Sequence, residues 1–276
     1  MALTATHQSG QGMLSVFGRF ANEEAMSAYH IDPFAASHPV GRERIASLET
    51  AVEASPYKDV KDTPEAMHAF QMIQAKLAGY ILPVKEVMDR YPVSDHSQQA
   101  RYARAMAYFR KPELPKALAE INSLIKEEPN NPFFYEVLGQ IYVDMSRPEL
   151  GIPPYQKAVT LLPNAPQLRV ALAAAQLATD NPVLAQPALK NLKSALLVEN
   201  DDAFAWYETA QAYSNLNNQP MAQLSTAEQY YAMGAYPAAA IFAKRAQHGL
   251  TQGSADWERA NDIMAVASTD KRQRSE

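Results

Sequence analysis

A spacing of 34 residues separates similar residues in the middle of the chain, and this period constrains the fold more than any other feature. Tyr142 follows Tyr108 at this distance, and Pro163 follows Pro129. No run alternates between apolar and polar residues as a half-buried strand does. Periods of this length are typical of units that each contain two helices and stack on their neighbours. We therefore expect an all-α chain built from repeated helical hairpins.

The best-formed unit runs from residue 131 to residue 163. Its first helix carries aromatic residues around a Leu-Gly pair, and its second helix carries small, aromatic, Ala and Pro residues, as in the tetratricopeptide pattern. The repeat anchors of this unit and of later units are Tyr135, Leu138, Gly139, Tyr142, Gly151, Tyr155, Ala158, Pro163, Trp206, Tyr213, Gly234 and Tyr236. Small residues let two helices approach closely, and aromatic side chains fill the space between them. The similarity predicts a right-handed α-solenoid of tetratricopeptide-type hairpins.

Two irregularities interrupt the period. The preceding unit has Arg101 and Arg104 where the pattern has an aromatic residue and Leu. Near the other end, Tyr230 opens a unit only 17 residues after Tyr213. The helix from about residue 219 to 233 should therefore close one unit and open the next. We expect the array to occupy residues 61–267, with a capping helix from about residue 256, and residues 268–276 to form a polar tail.

An additional hairpin is predicted at the start of the array, over residues 63–91. Thr63 is a suitable N-cap, with Pro64 at the first helical position. Gly79 and Pro83 should mark the turn between the two helices. The apolar side of the first helix should consist of Met67, Phe70, Ile73, Ala75 and Leu77.

Stacked hairpins leave a concave groove that commonly binds peptides or partner proteins. Polar residues on the first helices of the units are the candidates for such contacts. They are Glu136, Gln140, Arg169, Gln176, Glu208 and Gln211. For each of them the alternative, a solvated position without a partner, stays open.

The first sixty residues do not follow the repeat. Helices are predicted over residues 10–28 and 40–54, with a loop over residues 29–39 between them. Ile45, Leu48 and Val52 are spaced to form the buried stripe of the second helix.

This front segment resembles the end of the catalytic domain in HtpX/BepA-like zinc endopeptidases. The resemblance rests on a Gly-Met helix start at Gly12-Met13, an Asp-Pro and a His-Pro pair in the loop, and an Arg-Ile pair at Arg44-Ile45. Many members of that family carry a C-terminal tetratricopeptide array, and the order of the two parts agrees. The resemblance implies a location in the periplasm or cell envelope, where the array would bind clients or an outer-membrane assembly partner.

The zinc site of that family is not present in this sequence. The site needs two His four residues apart on one helix, with a Glu between them. None of the six His residues has that spacing. The resemblance therefore implies that this chain corresponds to the family's C-terminal part, with the zinc helices upstream of Met1. It also implies that His38, in the His-Pro pair, is an auxiliary zinc ligand in the full protein. A surface loop His is the alternative.

Composition excludes several other classes. A net charge of −5 argues against a nucleic-acid binder, which needs a basic surface. The absence of Cys excludes thiolate metal sites and Cys nucleophiles. No secretory signal opens the chain, and no apolar stretch approaches the roughly 20 residues of a membrane span. We expect no cofactor in this chain.

Three hypotheses about function remain. The first is a protein-interaction module of a zinc metallopeptidase, without catalysis by this chain alone. The second is a functional part of an active zinc endopeptidase whose catalytic helices lie elsewhere. The third is a free-standing adaptor unrelated to proteases.

Overall fold

A computed structural model describes residues 2–26 and 42–273. Within these two stretches all regular structure is helical, as the sequence predicts. The chain divides into two compact units, one ending at Ile73 and one beginning at Gln74. This division falls inside a helix, and the boundary predicted after residue 60 stays a prediction.

Within residues 2–26 and 42–73, the first unit contains three helices and the beginning of a fourth. They are α1 (Ala2–Ala5), α2 (Gln11–Met26), α3 (Arg42–Glu53) and α4 (Pro64–Ile81), which continues into the second unit. Helix α3 packs against α2 and buries Val52 of the predicted stripe, with Ile45 and Leu48 half-buried. The predicted loop over residues 29–39, including His38, lies outside the described residues.

The second unit is a series of helices joined by short turns. They are α5 (Val84–Arg90), α6 (Gln98–Arg110), α7 (Leu114–Glu127), α8 (Pro132–Asp144), α9 (Pro148–Leu161), α10 (Pro166–Leu177), α11 (Ala185–Leu196), α12 (Ala203–Asn215), α13 (Gln219–Ala232), α14 (Tyr236–Gln247) and α15 (Ala255–Gln273). A short 3-10 turn, Pro182–Leu184, precedes α11.

Each helix of this unit packs mainly on the helix before it and the helix after it. Helices α6 and α7, α8 and α9, and α10 and α11 form hairpins, and α7 with α8 and α9 with α10 join one hairpin to the next. The core is rich in fully buried Ala, which permits close helix packing. The predicted all-α solenoid of helical hairpins is confirmed.

Proline and polar side chains set the helix starts. Pro132, Pro148 and Pro166 each occupy the first position of a helix, where a missing N–H costs nothing. Asp202 caps α12 by accepting from the backbone N–H groups of Phe204 and Ala205 at 2.9 and 3.1 Å. Most helix starts therefore agree with the positions that Pro and capping residues in the sequence predict.

The close approach predicted at Gly139 is confirmed. A Cβ atom built on Gly139 would lie 2.7 Å from Cδ2 of Tyr155, which is 6% exposed. Only a residue without a side chain allows α8 and the Tyr155 ring of α9 to come this close. Two repeat anchors thus contact each other directly.

The hairpin that begins at Thr63 differs from its prediction in two ways. Gly79 does not mark the turn but lies buried inside α4, where an added Cβ would be 2.4 Å from the carbonyl oxygen of Ala103. The predicted apolar side is also wrong: Ala75 is buried, whereas Met67, Phe70, Ile73 and Leu77 are 42 to 60% exposed. Helix α4 instead buries Met72 together with Ala75, Ala78 and Gly79, three small residues that permit close packing.

Helix α13 belongs to two hairpins. It packs against α12 on one side, against α14 on the other, and also against α15. This is the arrangement that the short spacing between Tyr213 and Tyr230 predicts. Helix α15 then continues to Gln273, so that most of the segment predicted as a tail is helical.

Of the helices within residues 2–26 and 42–273, none combines the length and the apolar character that crossing a membrane requires.

Candidate functional site

The structure places the six predicted groove residues on three first helices. Glu136 and Gln140 lie on α8, Arg169 and Gln176 on α10, and Glu208 and Gln211 on α12. Their surroundings differ, and only some of them are accessible to a partner.

Arg169 and Gln176 hold α10 against α11. The Arg169 guanidinium donates from Nε to the carbonyl oxygen of Pro163 at 2.9 Å and from Nη1 to Oδ1 of Asn191 at 3.3 Å. The Asn191 amide in turn donates to Oε1 of Gln176 at 3.5 Å. These two residues occupy the repeat positions that Trp206 and Tyr213 occupy on α12, which are packing positions.

Two acidic candidates are also engaged or buried. Glu136 accepts from the Lys76 ammonium at 2.7 Å, with both side chains about a third exposed or less. Glu208 is 9% exposed, and its burial raises the pKa of the carboxyl group above the usual range. A partner would reach Gln211, which is exposed, and Gln140, which is half-buried, more readily.

Exposed aromatic residues on the same helices were missed by the sequence analysis. Phe133 on α8 is 47% exposed, and Phe204 and Tyr207 on α12 are 53% and 42% exposed. The rings of Phe204 and Tyr207 stack with their centroids 6.3 Å apart. The Lys76 ammonium lies 5.7 Å from the centroid of the Phe133 ring.

Two of these aromatic residues, Phe133 and Phe204, lie at equivalent positions of the repeat. Phe133 and Phe204 are both the second residue of their helix, and Tyr207 corresponds to Glu136. Equivalent positions in stacked units face the same side of an array. We call this side the first-helix face; it consists of Phe133, Glu136, Gln140, Phe204, Tyr207 and Gln211. Comparing residue types at equivalent positions, instead of selecting polar ones, would have found it.

A pocket of about 500 Å³ lies elsewhere in the second unit, where the spacing of the units changes. Helices α11, α12, α13 and α15 contribute its walls. We call it the α13 pocket and define it by its lining residues Lys193, Leu196, Leu197, Trp206, Thr209, Tyr213, Met221, Leu224, Ser225, Glu228, Asp256 and Arg259. It shares no residue with the first-helix face.

An ion pair and a cation-π contact flank the α13 pocket. Arg259 donates from Nη2 to Glu228 at 2.7 Å and from Nε to the other oxygen of the same carboxylate, and this bidentate contact raises the pKa of the guanidinium. The Lys193 ammonium lies 5.5 Å from the centroid of the Tyr213 ring. A carboxylate therefore neutralises the cation on α15, whereas the cation on α11 rests on an aromatic ring.

No metal site is found among the described residues, where no three His, Asp or Glu side chains are grouped as ligands. His38, the predicted auxiliary zinc ligand, is outside the described part of the chain, and its role stays a prediction.

Comparison with known proteins gives likenesses in structure alone. No protein-family model matches the chain, and no curated protein sequence matches it. Among solved structures, YrrB, described as a TPR (tetratricopeptide repeat) protein with an unusual peptide-binding site, is 18% identical at a TM-score of 0.50. That match covers 63% of this chain and 90% of YrrB. A structure of MamA AMB-1 is also 18% identical at a TM-score of 0.50, and the match covers 60% of this chain and 97% of MamA.

A third similar structure is TTC0263, a thermophilic TPR protein of Thermus thermophilus. It is 16% identical at a TM-score of 0.40, with 61% of this chain and all of that protein covered. At such identities the likeness to YrrB and MamA shows the fold of the chain, which is that of a tetratricopeptide-type solenoid.

Proposed function

We propose that this chain is a protein-interaction module and that the first-helix face binds an extended peptide segment of a partner protein. The observation that carries the proposal is the exposure of three aromatic residues on the first helices. Phe133 and Phe204 occupy equivalent positions of the repeat, and Tyr207 lies three residues after Phe204 on the same helix. Aromatic side chains supply much of the binding energy where peptides and proteins meet, because they bury a large area with few rotatable bonds.

Polar groups beside these rings suit a peptide backbone. The side-chain amides of Gln140 and Gln211 each offer donors and an acceptor. An extended peptide presents free N–H and C=O groups along its length, so that an amide can pair with it while a ring contacts its side chains. YrrB, which has the same fold, is described as having a peptide-binding site.

A display library of random peptides about twelve residues long provides the test. Peptides enriched on the wild-type chain are measured for affinity to F204A/Y207A and to V183A, in which an exposed residue that is not part of the face is changed. We expect F204A/Y207A to bind at least about tenfold more weakly, because two stacked rings are lost, and V183A to bind as wild type. Equal affinity of all three proteins for the peptides would show that the first-helix face is not the peptide-binding site.

We also propose that the parent protein is a zinc metallopeptidase of the HtpX/BepA type in the cell envelope, with clients or an outer-membrane assembly partner as the bound proteins. The resemblance of residues 12–45 to the end of that catalytic domain supports this context. Genomic sequence upstream of Met1 tests it: a helix with the His-Glu-x-x-His motif in the same frame is expected. An unrelated sequence there would favour the free-standing adaptor.

The second candidate function is catalysis as part of an active zinc endopeptidase. The same front segment favours it, since His38 lies in the His-Pro pair of the family. Metal analysis of the purified chain after incubation with zinc, with casein digestion as the second readout, separates the two. We expect less than stoichiometric zinc and no digestion. Stoichiometric zinc with chelator-sensitive digestion would make the chain an enzyme.

A further inference from the structure

The half-unit spacing at α13 creates the α13 pocket. In the regular part of the array, first helices contact first helices, as α8 and α10 do and as α10 and α12 do. Beyond that point it is α13 and α15 that contact each other, two helices from the opposite layer. The contact between neighbouring units therefore changes between α12 and α15, from the layer of α8, α10 and α12 to the layer of α13 and α15. A pocket of about 500 Å³, within the usual range for ligand sites of about 300–1,000 Å³, lies at this change.

Rings and aliphatic chains form most of the α13 pocket lining between its charged residues. Three of its polar groups are already paired within the chain. Nε1 of Trp206 donates to the carbonyl oxygen of Asn200 at 2.8 Å. Oγ1 of Thr209 donates to Ala205, and Oγ of Ser225 donates to Met221, at 2.7 and 2.9 Å. Apart from its charged groups and the Tyr213 hydroxyl, the lining offers a ligand the surface of rings and aliphatic chains.

The wall of this pocket on α11 ends in a very exposed aliphatic residue. Leu197 is 88% exposed, although Leu196 beside it is only 8% exposed. Burial of such a side chain against an apolar ligand is favourable, at roughly 25 cal/mol for each Å² removed from water. The pocket thus offers an apolar ligand group both an interior and an edge.

Two opposite charges stand on different walls. Lys193 is on α11 and Asp256 is in the first turn of α15. Within the described part of the chain neither side chain forms an ion pair, whereas Arg259 and Glu228 neutralise each other. A ligand that complements this rim has an apolar group between a negative group and a positive group.

We propose that the α13 pocket is a second binding site, for an extended peptide segment of a partner protein. An apolar side chain of the segment fills the pocket, an acidic side chain pairs with Lys193, and a basic side chain pairs with Asp256. Residues two apart in an extended chain project to the same side. A segment with the pattern acid-x-apolar-x-base, read in one direction or the other, therefore carries all three groups on one side.

Two blocked peptides, Glu-Gly-Leu-Gly-Lys and Lys-Gly-Leu-Gly-Glu, test this proposal. The chain has two Trp residues, and the W257F variant leaves Trp206 in the pocket as the fluorescent reporter. We expect saturable changes of Trp206 emission with both peptides and tighter binding of one order. A peptide with Gly in place of Leu should give no change. The absence of a saturable change with either Leu peptide up to about millimolar concentration would overturn the site.

Reversing both charges then tests whether Lys193 and Asp256 bind the charged side chains of the peptide. In the W257F background, K193E/D256K is expected to bind the other peptide order more tightly, because both ionic contacts are exchanged. Raising the salt from about 50 mM to about 500 mM should reduce the preference for one order in both proteins, since exposed charges are screened. An order preference that K193E/D256K leaves unchanged would overturn the role of the two charges.

A pair of neighbouring residues provides the matched control. L197A removes an edge of the pocket and should weaken both peptides about fivefold, whereas V198A changes an exposed residue outside the lining and should not. F204A/Y207A should keep full affinity for these peptides, so that failure of this site and failure of the first-helix face are separate results. Equal losses in L197A and V198A would contradict the site.

Discussion

Arg104 and Glu120 form an ion pair inside the array, in which the guanidinium Nε donates to the carboxylate at 2.7 Å and the Arg104 side chain is 2% exposed. Nη1 of Arg104 also donates to the carbonyl oxygens of Pro92 and Asp95 at 2.7 and 2.8 Å. An Arg at a position where the repeat has Leu therefore finds a carboxylate and backbone carbonyl acceptors inside the array. It ties the segment before α6 to the hairpin of α6 and α7.

Loss of this arginine should destabilise the array strongly. In R104M the apolar chain keeps much of the volume, but Glu120 and two carbonyl groups lose their donor. Removing one partner of a buried pair typically costs about 3–5 kcal/mol, and we expect a loss in this range in urea unfolding. K85A, which breaks the exposed pair of Lys85 with Asp89, should change the free energy of unfolding by less than about 0.5 kcal/mol. A similar effect of both variants would contradict this account.

Alanine at Gly139 should destabilise the chain although Ala favours helix. The new Cβ would lie 2.7 Å from the buried Tyr155 ring, and overpacking of this kind costs about 1–3 kcal/mol. Gly18, inside α2, is the control, because a Cβ there meets nothing within 4 Å. G18A should leave stability unchanged or raise it by up to ~1 kcal/mol. Thermal unfolding of both variants checks the prediction, and a stabilised G139A would disprove the close approach.

Removing the hydroxyl of Tyr102 should raise stability. This hydroxyl is buried without a hydrogen-bond partner, and burial moves the pKa of the phenol well above its usual range. Y102F removes an unpaired polar group, with an expected gain of about 1 kcal/mol in urea unfolding. In contrast, Y135F removes a hydroxyl that donates to Pro129 at 3.0 Å and should lose about 0.5–1.5 kcal/mol. Stability changes of the same sign in Y102F and Y135F would contradict the account that the Tyr102 hydroxyl is unpaired and the Tyr135 hydroxyl is paired.

The buried carboxyl of Glu208 should make stability depend on pH. Burial raises its folded-state pKa above the unfolded value of ~4.3, so the folded state holds the proton more tightly. Stability from this group is therefore present below pH ~4.3 and is lost as the pH rises through the folded pKa. E208Q stays neutral and should exceed the wild type in melting temperature at neutral pH, with the difference shrinking towards pH ~4.3. A difference that is constant over this range would exclude the carboxyl as its source.

Periodicity in the sequence predicts the helices and their order well, because Pro, Asn and Asp at helix starts act locally. It fails where burial depends on a neighbouring helix. Nothing in the pattern of α4 reveals that Gly79 and Ala75 face a close neighbour while Phe70 and Leu77 stay exposed. The prediction of the groove residues is limited for the same reason. Arg169 and Gln176 are polar and therefore look accessible in the sequence, but both form hydrogen bonds with Asn191 on the next helix. The α13 pocket is formed by four helices, and only the half-unit spacing pointed to that region.

The double membership of α13 limits how this protein can change length during evolution. Where each hairpin contacts only its neighbours, recombination at loops can add or delete a whole unit without disturbing the rest. Among the hairpins before α12, removing or adding a whole unit would bring together helix surfaces that are equivalent to those in contact now. Deleting α12 with α13 would instead take away the partner of α14, and deleting α14 with α15 would uncover α13. The last four helices should therefore be inherited as a single block, while the number of units before them is free to vary.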